Sequence, residues 1–222
     1  MVVDKVKQSL QIVRTAFTIS DKCILFFSGG KDSVCCFNLL QELYSKNNIY
    51  LVFMAFVDGL TTEKEVKLIA ADYGKEIKTV RHWSYFVDKA QGSYCMPSGK
   101  PKKLKDIYAE IRQEIGDYPI FYGAKKSDGL WRRTNTGNSK FLREVFAPIY
   151  EWSKYEVLQY IRAHKLKYIK AEGDRISGVD LSPKYLCWAY ENDLESFEAL
   201  RKEFPFIEIA VKRQEYRDRG EM

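Results

Sequence analysis

Residues 23–33 read Cys-Ile-Leu-Phe-Phe-Ser-Gly-Gly-Lys-Asp-Ser, a β-type apolar run that ends abruptly in a polar turn with two glycines. A helix-compatible apolar stretch follows through Leu43. The predicted order is therefore strand, glycine turn and helix. Adjacent glycines let a backbone pass close to a bound anion, and the start of a helix offers unpaired N–H groups. We predict a phosphate-binding turn, against the simpler alternative that its polar residues only cap the helix.

The polar residues of the turn suit phosphate as a ligand. Ser28 and Ser33 supply hydroxyl groups, and Lys31 supplies a positive charge. The backbone N–H groups of residues 29–31 would hold the phosphates. Asp32 would orient the turn or help to hold Mg²⁺ beside them. The turn is not a Walker motif, because the Gly-x-x-x-x-Gly-Lys-Ser/Thr spacing is absent, and the chain has no Gly-x-Gly-x-x-Gly dinucleotide motif.

Candidate strands and helices alternate along the rest of the chain. Apolar runs predict strands at 49–57, 77–80, 119–123 and 145–149. Helix-start signals lie near Thr62, Ser153 and Ser182, and further helices are predicted over 104–115 and 194–204. This alternation predicts an α/β fold: a mostly parallel twisted sheet of about five strands covered by helices, with a helical C-terminal portion. Ligands of such sheets lie beyond the carboxyl ends of the strands, where the turn falls.

Length and composition narrow the class of protein. The chain has 222 residues, of which 45% are hydrophobic, and we predict one domain with a core over about 20–165 and an extension over about 166–222. No stretch reaches 18 apolar residues, and the first residues lack the apolar core of a secretory signal. We therefore expect a cytoplasmic protein with no membrane partner. The formal charge of +6 mildly favours anionic ligands.

The sequence resembles a known family at several points that occur in the expected order. Residues 28–33 are similar to the pyrophosphate loop of the adenine-nucleotide alpha hydrolases, also called PP-loop ATP pyrophosphatases, and specifically of their phosphoadenosine phosphosulfate (PAPS) reductase branch. Residues 57–59, 94–102, 123–132 and 148–157 resemble later motifs of that branch. The likeness covers roughly residues 20–165. It implies a Rossmann-like, HUP-type sheet that binds an adenine nucleotide.

The resemblance also implies roles for particular residues. The nucleotide-binding residues that it implies are Ser28, Gly29, Gly30, Lys31, Asp32, Ser33, Phe56, Val57, Asp58, Gly123 and Lys125. Residues 56–58, at the end of the second strand, would face the nucleoside. The implied catalytic residues are Lys31, Asp32 and Arg132. Lys31 and Arg132 would offset phosphate charge, and Asp32 would act through Mg²⁺.

The cysteines depart from the reductase pattern. Reductases of this branch attack the sulfonucleotide with a cysteine in a C-terminal Glu-Cys-Gly-x-His segment, and nothing like it follows Phe204. Cys187 lies at helical spacing among aromatic residues, which favours a core position. Cys95 is the candidate reactive thiol, in a Gly/Pro/Lys loop where we expect exposure and nearby cations. We interpret Cys35 and Cys36 as core residues, and the spacing of cysteine and histidine predicts neither an iron–sulfur cluster nor zinc.

Three functions stay open. The leading hypothesis is a transferase or ATP pyrophosphatase in which an acceptor attacks the α-phosphorus of ATP in the presence of Mg²⁺, pyrophosphate leaves, and an adenylylated product forms. The acceptor is undetermined and could be sulfate, a carboxylate or an RNA base. The second hypothesis is a PAPS or adenosine phosphosulfate (APS) reductase-like enzyme that uses Cys95. The third is a subunit that binds a nucleotide, or a nucleic acid through basic segments at 100–105 and 122–143, and needs a partner protein.

Overall fold

The computed structural model describes residues 2–128, 145–170 and 179–220. Nine α-helices and five strands lie in this part of the chain. In chain order they are α1 (Val2–Phe17), β1 (Cys23–Phe26), α2 (Lys31–Leu40), β2 (Ile49–Ala55), α3 (Thr61–Asp72), β3 (Ile77–Arg81), α4 (Trp83–Gln91), α5 (Leu104–Ile115), β4 (Ile120–Tyr122), β5 (Val145–Phe146), α6 (Lys154–Ala163), α7 (Pro183–Asn192), α8 (Leu194–Glu203) and α9 (Glu208–Asp218). The predicted α/β class is confirmed.

The five strands form one sheet in the order β3-β2-β1-β4-β5. The pairings of β1 with β2, of β1 with β4 and of β4 with β5 are parallel. In this register Ile24 of β1 pairs with Tyr50 on one side and with Ile120 on the other. The chain builds outward from β1 to β3 and then returns to the opposite side of β1. The strand order therefore reverses between β1 and β4, which is the topological switch point of the sheet.

The chain divides into two compact units. The first comprises Met1–Phe53, Val66–Lys78 and Arg112–Lys170, and the second comprises Met54–Glu65, Thr79–Ile111 and Ala171–Met222. The sequence-based assignment of a single domain with a C-terminal extension stays a prediction.

The core of the first unit is centred on α2, which α1 and α6 contact. Seven of the ten residues of α2 are buried, because an apolar helix that packs on a sheet and beneath other helices has almost no solvent face. Cys35 and Cys36 lie in this core, fully buried as expected, and burial raises the pKa of both thiols. One polar contact ties α1 to the segment before α6: the buried Ser9 hydroxyl donates to the Pro148 carbonyl and accepts from Trp152 Nε1.

The second unit has its own apolar core, formed by α7, α8 and α9 with the residues after β2. Phe56 stacks on Phe204 with ring centroids 5.6 Å apart, and Tyr85 packs edge-on against both rings. The start of α3 is tied to α8, because the Thr61 hydroxyl donates to Asp193 at 2.5 Å and the Thr61 N–H donates to Ser196 Oγ.

Several predicted boundaries are confirmed, and others differ for physical reasons. Ser153 forms a complete capping box with Glu156, and Ser182 caps α7 with Pro183 in its first turn. The helix predicted over 104–115 has the same bounds in the structure. β5 stops at Phe146, short of the predicted strand over 145–149, because Pro148 has no N–H to donate to a neighbouring strand. No helix in the described ranges is long and apolar enough to cross a membrane.

Candidate phosphate-binding site

The turn after β1 is held by a residue from far along the chain. Gly29 has a φ of +69°, in the left-handed region that favours glycine, and its carbonyl accepts a 2.8 Å hydrogen bond from the Ile169 N–H. A Cβ at Gly29 would lie 2.5 Å from Ile169 Cδ1. The backbone conformation therefore requires glycine at this position, and a side chain here would also have to displace the end of the Ile169 side chain.

The same hydrogen bond orients the next peptide group. A trans peptide is planar, so its C=O and N–H point in opposite directions. Because the Gly29 carbonyl points at Ile169, the Gly30 N–H points away from Ile169. Gly30 is the N-cap of α2, has extended backbone angles and makes no side-chain capping bond. The uncapped helix start, with its positive dipole end, is a suitable binding site for an anion.

The two serines of the turn have different surroundings. Ser33 is buried, and its hydroxyl donates to the Gly30 carbonyl at 3.0 Å and accepts from the Ser28 N–H at 3.3 Å. Ser28 is exposed, and its Oγ lies 3.3 Å from Ser33 Oγ. Ser33 therefore stabilises the shape of the turn, whereas Ser28 presents a hydroxyl at the surface.

Four charged side chains form a chain of ion pairs beside the turn. The Lys31 ammonium lies 3.0 Å from Asp32 Oδ2, and the Lys125 ammonium lies 2.7 Å from Asp32 Oδ1. The second contact is a close ion pair without the alignment of a hydrogen bond. Lys125 also lies 3.1 Å from Asp128 Oδ1. The residue Lys125 is only 3% exposed, so a buried cation is compensated by two carboxylates.

Gly123 brings the end of β4 onto the first turn of α2. A Cβ there would lie 2.8 Å from the Asp32 carbonyl carbon and 2.9 Å from the Ser33 nitrogen. Only a residue without a side chain permits this approach. The structure thus brings together residues 28–33, Gly123 and Lys125 at the switch point between β1 and β4, where open α/β sheets bind their ligands.

The other predicted residues are three in the second unit and one outside the described residues. Phe56, Val57 and Asp58 belong to the second unit, where the first two are buried and Asp58 is exposed and accepts a 2.6 Å hydrogen bond from Arg81. Their predicted contact with a nucleoside stays a prediction. Arg132, predicted to be catalytic, lies outside the described residues, as does most of the basic segment 122–143.

One expectation about thiols is wrong, and another is met only in part. Cys95 is not exposed: it is buried, with 8% of its surface accessible, because Tyr94 and the helices of the second unit form an apolar cluster around it. Its role as a reactive thiol stays a prediction. Cys187 is only partly buried, at the edge of the same cluster. Burial, and after it the neighbouring acids, raise the pKa of the Cys187 thiol.

Sequence reasoning missed Ile169 and Asp128. Ile169 contacts the turn through its backbone, which no residue type signals, whereas Asp128 was visible as an acid three residues after Lys125. Within the described ranges, no group of three or more His, Cys, Asp or Glu side chains could hold a metal ion.

Comparison with known proteins supports the resemblance. No family model matches the chain. Argininosuccinate synthase from Methanocaldococcus jannaschii is 24% identical over 177 residues, a match that spans 68% of this chain and 40% of the relative. Two solved structures share the fold. The NH3-dependent NAD synthetase from Campylobacter jejuni matches with a TM-score of 0.50 and 14% identity, over 97% of this chain and 96% of that chain. The U34-tRNA thiolase NcsA from Methanococcus maripaludis matches with a TM-score of 0.50 and 19% identity, over 96% of this chain and 79% of that chain.

All three neighbours are enzymes of the PP-loop ATP pyrophosphatase, or adenine-nucleotide alpha hydrolase, superfamily, which confirms the resemblance at that level. The PAPS reductase branch stays a prediction. One sequence-based expectation is corrected: cysteine spacing does not exclude an iron–sulfur cluster in this fold, since NcsA carries a [4Fe-4S] cluster. A fold can assemble cluster ligands from residues that are distant in sequence, and a spacing rule does not detect them.

Proposed function

We propose that this protein, with the PP-loop fold and a PP-loop turn at its switch point, binds ATP on residues 28–31 and directs an acceptor to the α-phosphorus, so that pyrophosphate leaves. The observation that carries the proposal is the turn itself. Its Gly29–Gly30 peptide is oriented by Ile169, the helix start behind it is uncapped, and Lys31 lies beside it. Such a site stabilises anions, and the charge of the leaving pyrophosphate grows in the transition state.

Each group in the turn would have a separate role in the proposed reaction. The Gly30 N–H and the start of α2 would hold the leaving pyrophosphate, and the exposed Ser28 hydroxyl would donate to a phosphate oxygen. The Lys31 side chain is 29% exposed and can turn toward that phosphate. A hydrogen bond to a charged group contributes about 1.5–3 kcal/mol. Loss of the Lys31 ammonium should therefore weaken ATP binding roughly 10- to 100-fold.

The turn can offer Mg²⁺ one carboxylate ligand. Protein-bound Mg²⁺ keeps several waters and takes one or two carboxylates together with substrate phosphates. Asp32 is the only carboxylate in the turn, and its two oxygens contact Lys31 and Lys125. Asp32 would hold the ion as a single protein ligand, and the nucleotide phosphates would supply most of the others. When bound, the ion would neutralise phosphate charge.

The acceptor that we would test first is RNA. Lys100, Lys103 and Lys105 are exposed before and within the first turn of α5, and Lys102 is paired with Glu110. NcsA, which shares the fold, is a tRNA thiolase by name. An exposed cluster of lysines can neutralise a phosphate backbone. Affinity for RNA should fall steeply between low and physiological salt, and replacement of the three exposed lysines by serine should reduce that salt dependence.

The decisive experiment incubates the protein with Mg²⁺, ATP and either small carboxylates, sulfate or bulk RNA, and follows AMP, adenylylated products and pyrophosphate by mass spectrometry. Lys31→Ala tests the turn. Lys126→Ala is the matched control, because Lys126 is an exposed lysine that pairs with Glu151. Pyrophosphate release that Lys31→Ala abolishes and Lys126→Ala retains supports the proposal. Absence of ATP binding by the wild-type protein contradicts it, and ATP binding without turnover points to a missing acceptor or partner.

A further inference from the structure

Asp32 is shared by two lysines that differ in burial. Lys125 is almost fully buried and held by both Asp32 and Asp128. Lys31 contacts the other oxygen of Asp32, and nearly a third of its side chain is exposed. Lys31 can therefore move while Lys125 stays fixed.

We propose that Lys125 is a positioning residue: it fixes and neutralises Asp32, so that Lys31 can leave Asp32 for the phosphates of an incoming nucleotide. The inference rests on the proposed function, because it describes how the same turn receives ATP. The contact of Lys31 with Asp32 is the one that a phosphate would replace.

The charges of the network explain why Lys125 is needed. The two lysines, Asp32 and Asp128 carry two positive and two negative charges. When Lys31 exchanges its carboxylate for a phosphate, Asp32 keeps Lys125 and is not left as an uncompensated charge. Without Lys125, the same exchange would leave Asp32 unpaired beside an anion, and the two like charges would repel each other.

The burial of Lys125 indicates that it acts through Asp32 and not on the phosphate. Its ammonium is buried between two carboxylates, at 2.7 Å and 3.1 Å, and would have to move away from them to reach a ligand at the surface. Breaking a buried pair leaves an uncompensated charge, which is strongly unfavourable. Direct binding of the nucleotide by Lys125 stays a prediction, and the proposal gives this residue an indirect role instead.

A double-mutant cycle separates the two roles. The variants are Lys125→Met, Asp32→Asn and the double variant, and the measurement is the dissociation constant for ATP in EDTA, without metal. Lys125→Met should weaken ATP binding at least about tenfold in the wild-type background and hardly at all in the Asp32→Asn background, because the effect passes through Asp32. The same loss in both backgrounds would show a direct contact with the phosphate and overturn the proposal.

Two further measurements keep the test decisive. Lys126→Met controls for loss of a lysine, and the unfolding midpoint of each variant shows whether it folds. If Lys125→Met does not fold, Lys125→Gln retains an N–H donor for Asp32, and the same cycle is run with that variant. A loss with Lys125→Gln that persists in the Asp32→Asn background would contradict the positioning role.

The rate at which acetic anhydride acetylates the Lys31 amine tests, without nucleotide, whether Lys31 and Lys125 share Asp32. Lys125→Met should slow labelling of Lys31, because Asp32 then pairs with Lys31 alone, and Asp32→Asn should speed it in both backgrounds. Labelling that is equal in all variants would overturn the inference. If the wild-type protein binds no ATP but the variants show the expected labelling, the proposed function is refuted, whereas the sharing of Asp32 by Lys31 and Lys125 is supported.

Discussion

Gly123 approaches Asp32 so closely that a Cβ on Gly123 would lie 2.8 Å from the carbonyl carbon of Asp32. This contact joins the end of β4 to the first turn of α2, the two elements on either side of the switch point. The atoms in the way belong to the backbone, which cannot rotate aside as a flexible side chain could. The position of the turn at residues 28–33 therefore depends on a glycine that lies outside the turn.

Gly123→Ala should displace the start of α2 and weaken ATP binding. Overpacking a close contact typically costs about 1–3 kcal/mol of stability. Urea unfolding and the dissociation constant for ATP would measure the two effects. Ser127→Ala, on an exposed residue of the same segment, is the control and should change neither. Wild-type stability and affinity in Gly123→Ala would show that the backbone moves without cost.

Alanine at Gly30 and at Gly29 should have different effects. Gly30 has a negative φ, and a Cβ there would meet only Ser28 Oγ, at 3.5 Å, so Gly30→Ala should fold normally. The variant should lose ATP affinity, because the added methyl group lies where the phosphate must approach the backbone. Gly29→Ala meets Ile169 at a positive φ and should also lower the unfolding midpoint. Equal midpoints for the two variants would argue against strain at position 29.

The stability of the protein should fall as the pH drops below about 6.5, through His82. Burial lowers the pKa of His82 below its usual value of 6.5, and its Nδ1 accepts the Ser84 N–H at the start of α4. At a pH between the folded-state and the unfolded-state pKa of His82, the unfolded chain binds a proton that the folded protein does not. The free energy of unfolding is therefore full above pH 6.5 and declines below it. Urea unfolding from about pH 7.5 to 5 measures the slope, which is at most ~1.4 kcal/mol per pH unit for one proton.

His82→Asn should flatten that pH dependence, because asparagine retains a capping acceptor and does not titrate. His164→Asn, at the end of α6, is the comparison variant. An unchanged slope in His82→Asn would assign the pH dependence to other groups.

Among the thiols that the structure describes, Cys187 should react first with iodoacetamide. It is partly exposed, whereas the other four cysteines are buried. Because burial and the nearby acids raise its pKa above 9.0, its alkylation near neutral pH should be slower than that of a free cysteine and should accelerate as the pH rises. Peptide mass spectrometry locates the label, and Cys187→Ser should remove this first modification. Early labelling of Cys95 would contradict its burial.

The sequence by itself determined the strand–turn–helix unit at residues 23–40, the caps at Ser153 and Ser182, and the helix over 104–115. Each of these follows from local rules: apolar periodicity, the freedom of glycine and side chains that bond to nearby backbone. The PP-loop resemblance depends on the same short stretch.

Only the tertiary structure decided which groups meet at that turn. The bond from Ile169 to Gly29, the approach of Gly123 to Asp32 and the pairing of Lys125 with Asp32 all join distant residues. The burial of Cys95 likewise depends on helices from the end of the chain. These contacts arise from strand order and packing, which bring together residues that no periodicity or spacing relates. Local sequence therefore specified the glycine turn between strand and helix, and the fold determined how its charges are held.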